Sequence, residues 1–459
     1  MIEMKLSHLA AVLGGEHYGE DLTFHGVETD TRSLSENSSL VLFVALKGSR
    51  FDGHNFLEAA EKRGVLAFLV SSREVLPPKA SAVVVPDTNK ALLLMATQWR
   101  NNFSIPVVCI AGSNGKTTVR SMVSAILEEA LGAGNYLATI GNFNNHIGVP
   151  KTLFNLNPKH RVAVVEVGMN HPGEMRPLLT VIKPTISVVT NTLREHIGFM
   201  QSLDAIAKEN GNAYSMTSES GVCIINHDDD FFPWYVQQSS TRRQIWFGHK
   251  YNSHISAFAC AQGNGQRVEL TYKNRRYGFY LPLLGARNVM NAMAAFSVGV
   301  ALGICGDLIG YALSRISAIG GRLNYLKGIL GSELIDDTYN ANPDSTRFAI
   351  DVLVSSSSKR RKFLVMGDMA EMGSFSLKVH QEIARYARCN GVSKLFLIGS
   401  DAVSMAPFFG KGAVCCRTVE QLLASLKLCI DSDVIVLIKG SRFMCMEQVV
   451  AELVDQGEG

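Results

Sequence analysis

Residues 107–118, Val-Val-Cys-Ile-Ala-Gly-Ser-Asn-Gly-Lys-Thr-Thr, constrain this chain more than any other stretch. Val107 to Ala111 is a short apolar run with Val and Ile, the pattern of a buried strand. It ends at a glycine turn and passes into 117–130. There Val119, Met122, Val123, Ile126, Leu127 and Ala130 follow the helical period. Strand, turn and helix start in that order aim backbone N–H groups and the positive end of a helix dipole at one point, a cradle for phosphate oxygens. Lys116 then reaches the outer phosphates, and the Thr117 hydroxyl is placed for Mg²⁺. The general phosphate-loop pattern requires a glycine five residues before Gly115, where this chain has Ile110, so the loop is of a variant kind. Its expected members are Gly112, Ser113, Asn114, Gly115, Lys116, Thr117 and Thr118. An ordinary strand-to-helix turn with a solvated lysine is the alternative.

A chain of 459 residues exceeds what one core serves and predicts about three domains. A net charge of +3 is near neutral at this size and gives no argument for a nucleic-acid or membrane partner. The charged start, Met-Ile-Glu-Met-Lys, predicts no secretory leader, and no run approaches the roughly 18 apolar residues of a membrane helix. The nine cysteines form no Cys-x-x-Cys pair, which predicts reduced, buried thiols in a cytoplasmic protein rather than disulfides or a zinc site.

Three regions separate by pattern. Residues 1–104 hold short strands at 39–46 and 65–70 and close on a helical stretch, 87–101. Residues 105–320 alternate helices with strands, among them 162–167, 186–191 and 222–226, as in a mostly parallel sheet covered on both faces. Turn residues within 245–283 predict a small antiparallel insert. Gly320-Gly321 marks an expected hinge. Strand-like runs at 333–336, 362–366, 394–398 and 434–438 then give a second doubly wound unit over 321–459. That unit lacks the Gly-x-Gly-x-x-Gly of a dinucleotide site. The serine run 355–358 is expected to be a solvated loop.

Glu166 ends the apolar run 162–166, where a strand-end carboxylate beside a phosphate loop can coordinate Mg²⁺. His196 falls just past the next strand, on the side of the sheet where ligands gather. A solvated boundary glutamate and a structural histidine are the alternatives.

With these pieces placed, the chain resembles the Mur ligases over essentially its whole length. The likeness rests on Asp30-Thr31-Arg32-Ser33, 42–48 and 51–56 in the first region. In the middle it rests on Gly112-Ser113-Asn114-Gly115-Lys116-Thr117, 141–150, 166–171 and 288–292. In the last it rests on Gly321-Arg322-Leu323, 336–343, Gly367-Asp368-Met369-Ala370-Glu371 and 439–442. Gly-Asn-x-Asn-Asn-x-Ile-Gly-Val-Pro (141–150) and Tyr-Asn-Ala-Asn-Pro (339–343) are the most specific, and favour the member that uses D-alanyl-D-alanine.

The resemblance implies an α/β protein of three domains. These are a small UDP-binding domain (1–104), a central P-loop ATPase-like domain with a mostly parallel sheet (105–320) and a Rossmann-like domain (321–459). It implies ATP-driven amide formation between UDP-N-acetylmuramoyl-tripeptide and D-alanyl-D-alanine through an acyl phosphate, in peptidoglycan precursor synthesis. Arg32, Lys47 and His54 would neighbour the nucleotide sugar, and Asn142 and Asn145 the acyl substrate. Lys116, Thr117, Glu166 and His196 would serve ATP and Mg²⁺, with Asn288 near the adenine. Arg322 and Asp337 would reach ATP, while Tyr339 and Asn340 lie near the dipeptide. A cytoplasmic monomer with small-molecule substrates is implied, with no nucleic acid and no membrane insertion.

Two positions depart from the family. The lysine that is modified by CO₂ to a carbamate has Asn210 in its place, and Lys208, about 200° around a helix, faces away. The acidic residue two after the histidine is Gly198. Other ligases of the superfamily, a nucleotide switch and an inactive binding protein are the competing readings. Residues 1–104 weigh against a folylpolyglutamate synthetase, and the missing Asn-Lys-x-Asp after the relevant strands weighs against a guanine-reading switch.

Overall fold

The local grammar of the phosphate-loop segment is realised as expected. In a computed structural model describing residues 1–49, 51–356 and 360–455, Val107–Ala111 is a fully buried strand and Lys116–Leu131 a helix. Val119, Met122, Val123, Ile126 and Leu127 form the buried stripe of that helix. Gly115 precedes it with φ 89°, a left-handed conformation that suits glycine and little else.

The strand occupies the middle of a nine-stranded sheet. The spatial order is Arg275–Leu281, Gly265–Tyr272, Ile255–Gln262, Arg243–Phe247, Val222–Asn226, Ile186–Val189, Val107–Ala111, Val162–Glu166 and Tyr136–Ala138. The pairs from Tyr136–Ala138 through Ile255–Gln262 run parallel. From Val107–Ala111 the chain first fills the Tyr136 side of the sheet, then crosses to the Ile186 side, which makes this strand a topological switch point. Both faces are covered. Cys109, Ala163, Val165, Val189 and Ile225 pack on one side with Leu92 and Leu179; Val108, Ile110, Val164, Val188 and Ile224 pack on the other with Met122 and Phe296. Burial on both faces explains why these strands are apolar without alternation.

The 245–283 stretch corrects one expectation. It is no separate insert: Arg243–Phe247 continues the parallel sheet, and only the last strand pairs, Ile255–Gln262 with Gly265–Tyr272 and Gly265–Tyr272 with Arg275–Leu281, are antiparallel. They widen the same sheet.

In the first region Gly26–Glu28, Val41–Val44, Ala67–Val70 and Ser81–Val84 pair in parallel, with Glu16–Tyr18 antiparallel at the edge. The Thr88–Arg100 helix begins at Asp87, whose carboxylate caps the N–H groups of Asn89 and Lys90. The core under this sheet is continuous with that of the central one: Leu42, Leu69 and Val83 belong to the same cluster as Met95, Val107 and Leu179.

The last region carries two strands beyond the four expected. Its order is Asn324–Lys327, Glu333–Asp337, Val434–Lys439, Arg361–Met366, Lys394–Ile398 and Ala413–Cys416, parallel except for the first. Of the serine run, Ser355 and Ser356 end the Pro343–Ser356 helix, while 357 and 358 lie outside the described residues. Ile197, Met200 and Ile206, from the middle region, are buried in this region's core beside Met369 and Met372. The cysteines are free thiols as expected, but only Cys109, Cys223 and Cys416 are buried; Cys260, Cys305, Cys389, Cys415 and Cys445 are exposed. No helix among the described residues is long and apolar enough to cross a membrane.

Candidate active site

The strand ends at the switch point open into a cleft of about 570 Å³ between the central sheet and the last region. Its floor is the glycine turn, held rigid from the neighbouring strand end. The Asn114 N–H donates to Asn191 Oδ1 (2.9 Å), the Thr190 hydroxyl to the Asn114 carbonyl (2.7 Å), and the Ser113 N–H to the Asn191 carbonyl (2.9 Å). A Cβ on Gly112 would lie 2.3 Å from Thr190 Oγ1, and one on Gly115 2.4 Å from Asn291 Oδ1. Both glycines are therefore required by close packing as well as by positive φ.

Lys116 folds back over this turn. Its Nζ donates to the carbonyls of Gly112 (2.7 Å) and Ser113 (3.0 Å) and to Glu195 Oε2 (2.9 Å). Thr117 Oγ1 is 3.2 Å from Glu166 Oε1 and accepts from Arg322 Nη2 at 3.0 Å. Glu166 is 2 % exposed. Asn144 donates to its Oε1 (2.9 Å), and Arg120 Nε stands 3.4 Å from its Oε2, which is buried and accepts no hydrogen bond. A buried carboxylate whose Oε1 lies beside the Thr117 hydroxyl, and whose Oε2 accepts no hydrogen bond, is a donor set suited to Mg²⁺, a hard cation that keeps several waters and takes one or two carboxylates. No cage of three acidic, histidine or cysteine side chains exists among the described residues, and such a site needs none.

His196 is a left-handed residue (φ 53°) between two carboxylates, Glu195 Oε1 at 3.7 Å from Nε2 and Glu371 Oε2 at 2.5 Å from Nδ1. The Glu371 approach is an ion contact out of hydrogen-bond alignment. Burial opposes charge on the imidazole, yet Glu371 and Glu195 outweigh it and push its pKa above the ordinary histidine value. His196 in turn holds Glu371 below the usual carboxylate range.

Of the residues singled out in the sequence, the cleft gathers Ser113, Asn114, Gly115, Lys116, Thr117, Thr118, Asn142, Asn145, Glu166, His196, Asn288, Arg322, Asp337, Tyr339 and Asn340. Arg322 stacks over the Tyr339 ring at 4.1 Å. Gly112 contributes its carbonyl from below. Several of the expected residues are engaged by neighbours in this structure. Asp337 lines the cleft, and its carboxylate is engaged by Lys439 Nζ and the Leu323 N–H. Asn145 spends its side-chain oxygen on the N–H groups of Ile147 and Gly148, and it is Asn144 that meets Glu166. Arg32, Lys47 and His54 do not line the cleft. Arg32 pairs with Asp30 (2.6 Å), Lys47 lies 3.7 Å from Asp52, and His54 is fixed between Asp52 and the Ser71 N–H.

Asn210 is buried with its amide nitrogen unpartnered and lies off the cleft lining, and Lys208 is exposed as expected. Glu209 accepts from the N–H groups of Gly173 (2.9 Å) and Met175 (3.3 Å), capping the Met175–Ile182 helix. Sequence reasoning missed Glu195, Glu371, Arg120, Asn114–Asn342 and Arg194–Asp344. Glu195 had a local signal in its place next to His196, and Asn114, Asn342 and Glu371 lie in stretches that carry the resemblance, though nothing there showed their partners.

Models of the Mur ligase family match most of the chain. The Mur ligase family catalytic domain matches residues 23–100, the Mur ligase middle domain 110–299, and the glutamate ligase domain of the same family 321–442. The chain is 36% identical over 466 residues, covering 100% of both chains, to UDP-N-acetylmuramoyl-tripeptide–D-alanyl-D-alanine ligase from Escherichia coli (strain K12). It is 32% identical over 464 residues, 99% of both chains, to the ligase of the same name from Bacillus subtilis (strain 168). The crystal structure of MurF from Acinetobacter baumannii superimposes with a TM-score of 0.91 at 28% identity, covering 98% of this chain and 99% of that one. The chain belongs to the Mur ligase family.

Proposed function

We propose that this ligase joins D-alanyl-D-alanine to UDP-N-acetylmuramoyl-tripeptide at the expense of ATP, in three domains spanning 1–104, 105–320 and 321–459. The observation that carries the reading is the convergence of Lys116, Thr117 and Glu166 from the central sheet with Arg322 and Tyr339 from the last region in one cleft. Full-length relatives bearing that name support the choice of substrates.

The chemistry follows from charge. A carboxylate attacking the γ-phosphorus of ATP meets strong repulsion, so cations and backbone dipoles must neutralise the phosphates in a site shielded from water. Lys116 exchanges Glu195 for the outer phosphate oxygens, while the N–H groups of the glycine turn cradle the inner ones. Arg322 leaves Thr117 and follows the transferring phosphoryl group. Thr117 and Glu166 would hold Mg²⁺, which supplies further charge neutralisation on the phosphates. A peptide carboxylate oxygen bonds to the γ-phosphorus as the bond to the β,γ-bridging oxygen breaks, giving an acyl phosphate and ADP. The amine of the dipeptide then adds to its carbonyl carbon, and phosphate departs from the tetrahedral intermediate. Asn142, Asn145, Tyr339 and Asn340 face the two peptides. Arg32, Lys47 and His54, apart from the cleft, are assigned to the nucleotide-sugar end, which a substrate of this length would reach. Cytoplasmic location and a monomeric state belong to the same proposal.

Phosphate release with ATP and Mg²⁺, adding UDP-tripeptide and D-Ala-D-Ala singly and together, tests it. Turnover is expected only with both. Equal turnover with a single amino acid would assign a sibling reaction, and turnover without an acceptor would assign a switch ATPase.

A further inference from the structure

The segment carrying His196 has no carboxylate of its own two residues later, because Gly198 stands there. The space beside that glycine is taken by another part of the chain. The Gly198 N–H donates to the Glu371 carbonyl at 2.9 Å. A Cβ at 198 would lie 2.6 Å from that oxygen, 2.6 Å from Gly373 N and 2.8 Å from the Met372 carbonyl carbon. All three are backbone atoms with no freedom to move aside, so the 371–373 turn can seat here only against glycine.

The same turn carries the Glu371 side chain to His196. Its Oε2 reaches 2.5 Å from Nδ1, leaving Nε2 toward Glu195 and the cleft. Both partners adopt backbone conformations that non-glycine residues rarely hold, φ 53° at His196 and φ 62° at Glu371. Two such residues meeting across the interface mark a contact that the surrounding packing over-determines, as at functional sites. Around them, Ile197 and Met200 are buried against Met369 and Met372, which fixes the turn on the histidine segment.

We propose that Glu371 is the positioning residue for His196. From the last region it supplies a carboxylate to Nδ1, the ring nitrogen that Glu195 does not face, so that the imidazole is oriented only when the 371–373 turn is seated on Gly198. Closure of the last region and assembly of the ATP end of the site thereby become one event. The inference rests on the reading of His196 as part of the ATP-handling machinery.

The test uses the full-length protein, with His196→Ala, Glu371→Gln, their double variant and Gly198→Ala. It reads kcat, KM for ATP, melting temperature and the radius of gyration of the ligand-free protein by small-angle scattering. Glu371→Gln is expected to lower kcat by roughly 10- to 100-fold, with KM for ATP and melting temperature near the parent's. The double variant should be no worse than His196→Ala alone, because a residue acting only through another adds nothing once that other is gone. Gly198→Ala should enlarge the ligand-free protein and lower kcat. Parental kcat in Glu371→Gln, losses that multiply in the double variant, or a parental radius and kcat in Gly198→Ala would each overturn the proposal. Parental kcat in His196→Ala would instead remove the reading beneath it.

Discussion

The side-chain amides of Asn114 and Asn342, 228 positions apart, bond reciprocally: Asn342 Nδ2 donates to Asn114 Oδ1 at 2.8 Å, and Asn114 Nδ2 to Asn342 Oδ1 at 3.4 Å. The first belongs to the phosphate loop. The second also accepts from the Ser345 N–H at the start of the Pro343–Ser356 helix (2.8 Å). One residue thus caps a helix and ties it to the glycine turn after Val107–Ala111.

Asn342→Ala should therefore cost about 1–3 kcal/mol, since it strands a polar side chain in a site where Asn342 is 5 % exposed. Urea denaturation measures this, and KM for ATP should rise with it. An unchanged unfolding midpoint would contradict the contact.

Lys116→Ala should lower the rate of phosphate release by roughly 10²–10³, the usual loss for one group aimed at transition-state charge. The fold should survive, because the lysine touches loop carbonyls and Glu195 rather than the apolar core. A rate within about threefold of the parent's would remove the phosphate-loop assignment.

Glu209 and Asn210 should separate stability from catalysis. Glu209→Ala removes the cap of the Met175–Ile182 helix, at about 1 kcal/mol, with little change in kcat. With Asn210 where a carbamate-forming lysine would stand and Lys208 facing solvent, activity should be indifferent to removal and return of dissolved CO₂. A carbamate found on Lys208 by mass spectrometry, with matching bicarbonate dependence, would contradict this.

Acid should weaken the join between the central sheet and the last region. Asp344 is largely buried, which opposes its charge, but the hydrogen bonds and charge of Arg194 prevail and hold its pKa below the ordinary aspartate value. A carboxyl with a depressed native pKa contributes stability that is complete above its unfolded pKa, near about 4, and is lost as pH falls through the native value. The melting-temperature gap between the parent and Asp344→Asn should be widest near neutrality and shrink below about pH 4. A gap that stays constant through that range would refute the assignment.

The strand, glycine turn and helix of 107–131, the strand-end place of Glu166 and the strand-helix alternation were legible because their signals are local: apolar runs, helical spacing and glycine placement lie within a few residues of one another. The contacts that complete the site were not. Glu371, Asp344 and Asn342 reach His196, Arg194 and Asn114 from 150 or more residues away, and no spacing rule connects them. The partner of Asp337, Lys439, enters from a neighbouring strand, a register that only strand order reveals. The 255–281 strands carried their turn signals openly, but whether they formed a new sheet or widened the old one depended on the single parallel pairing of Phe247 with Ile255. Residues 1–104 looked self-contained in the sequence, yet their core runs into the central one.

Ile197 and Met200 flank the histidine segment and lie buried in the core of the last region, at 7 % and 2 % exposure. Swinging that region away must either wet both side chains or drag the segment off the phosphate loop. At about 1.5–3 kcal/mol for each side chain, wetting them biases the ligand-free protein toward closure by roughly 10²–10⁴. The toll falls again after every turnover, when ADP and product must escape, which makes reopening the step expected to set the enzyme's pace.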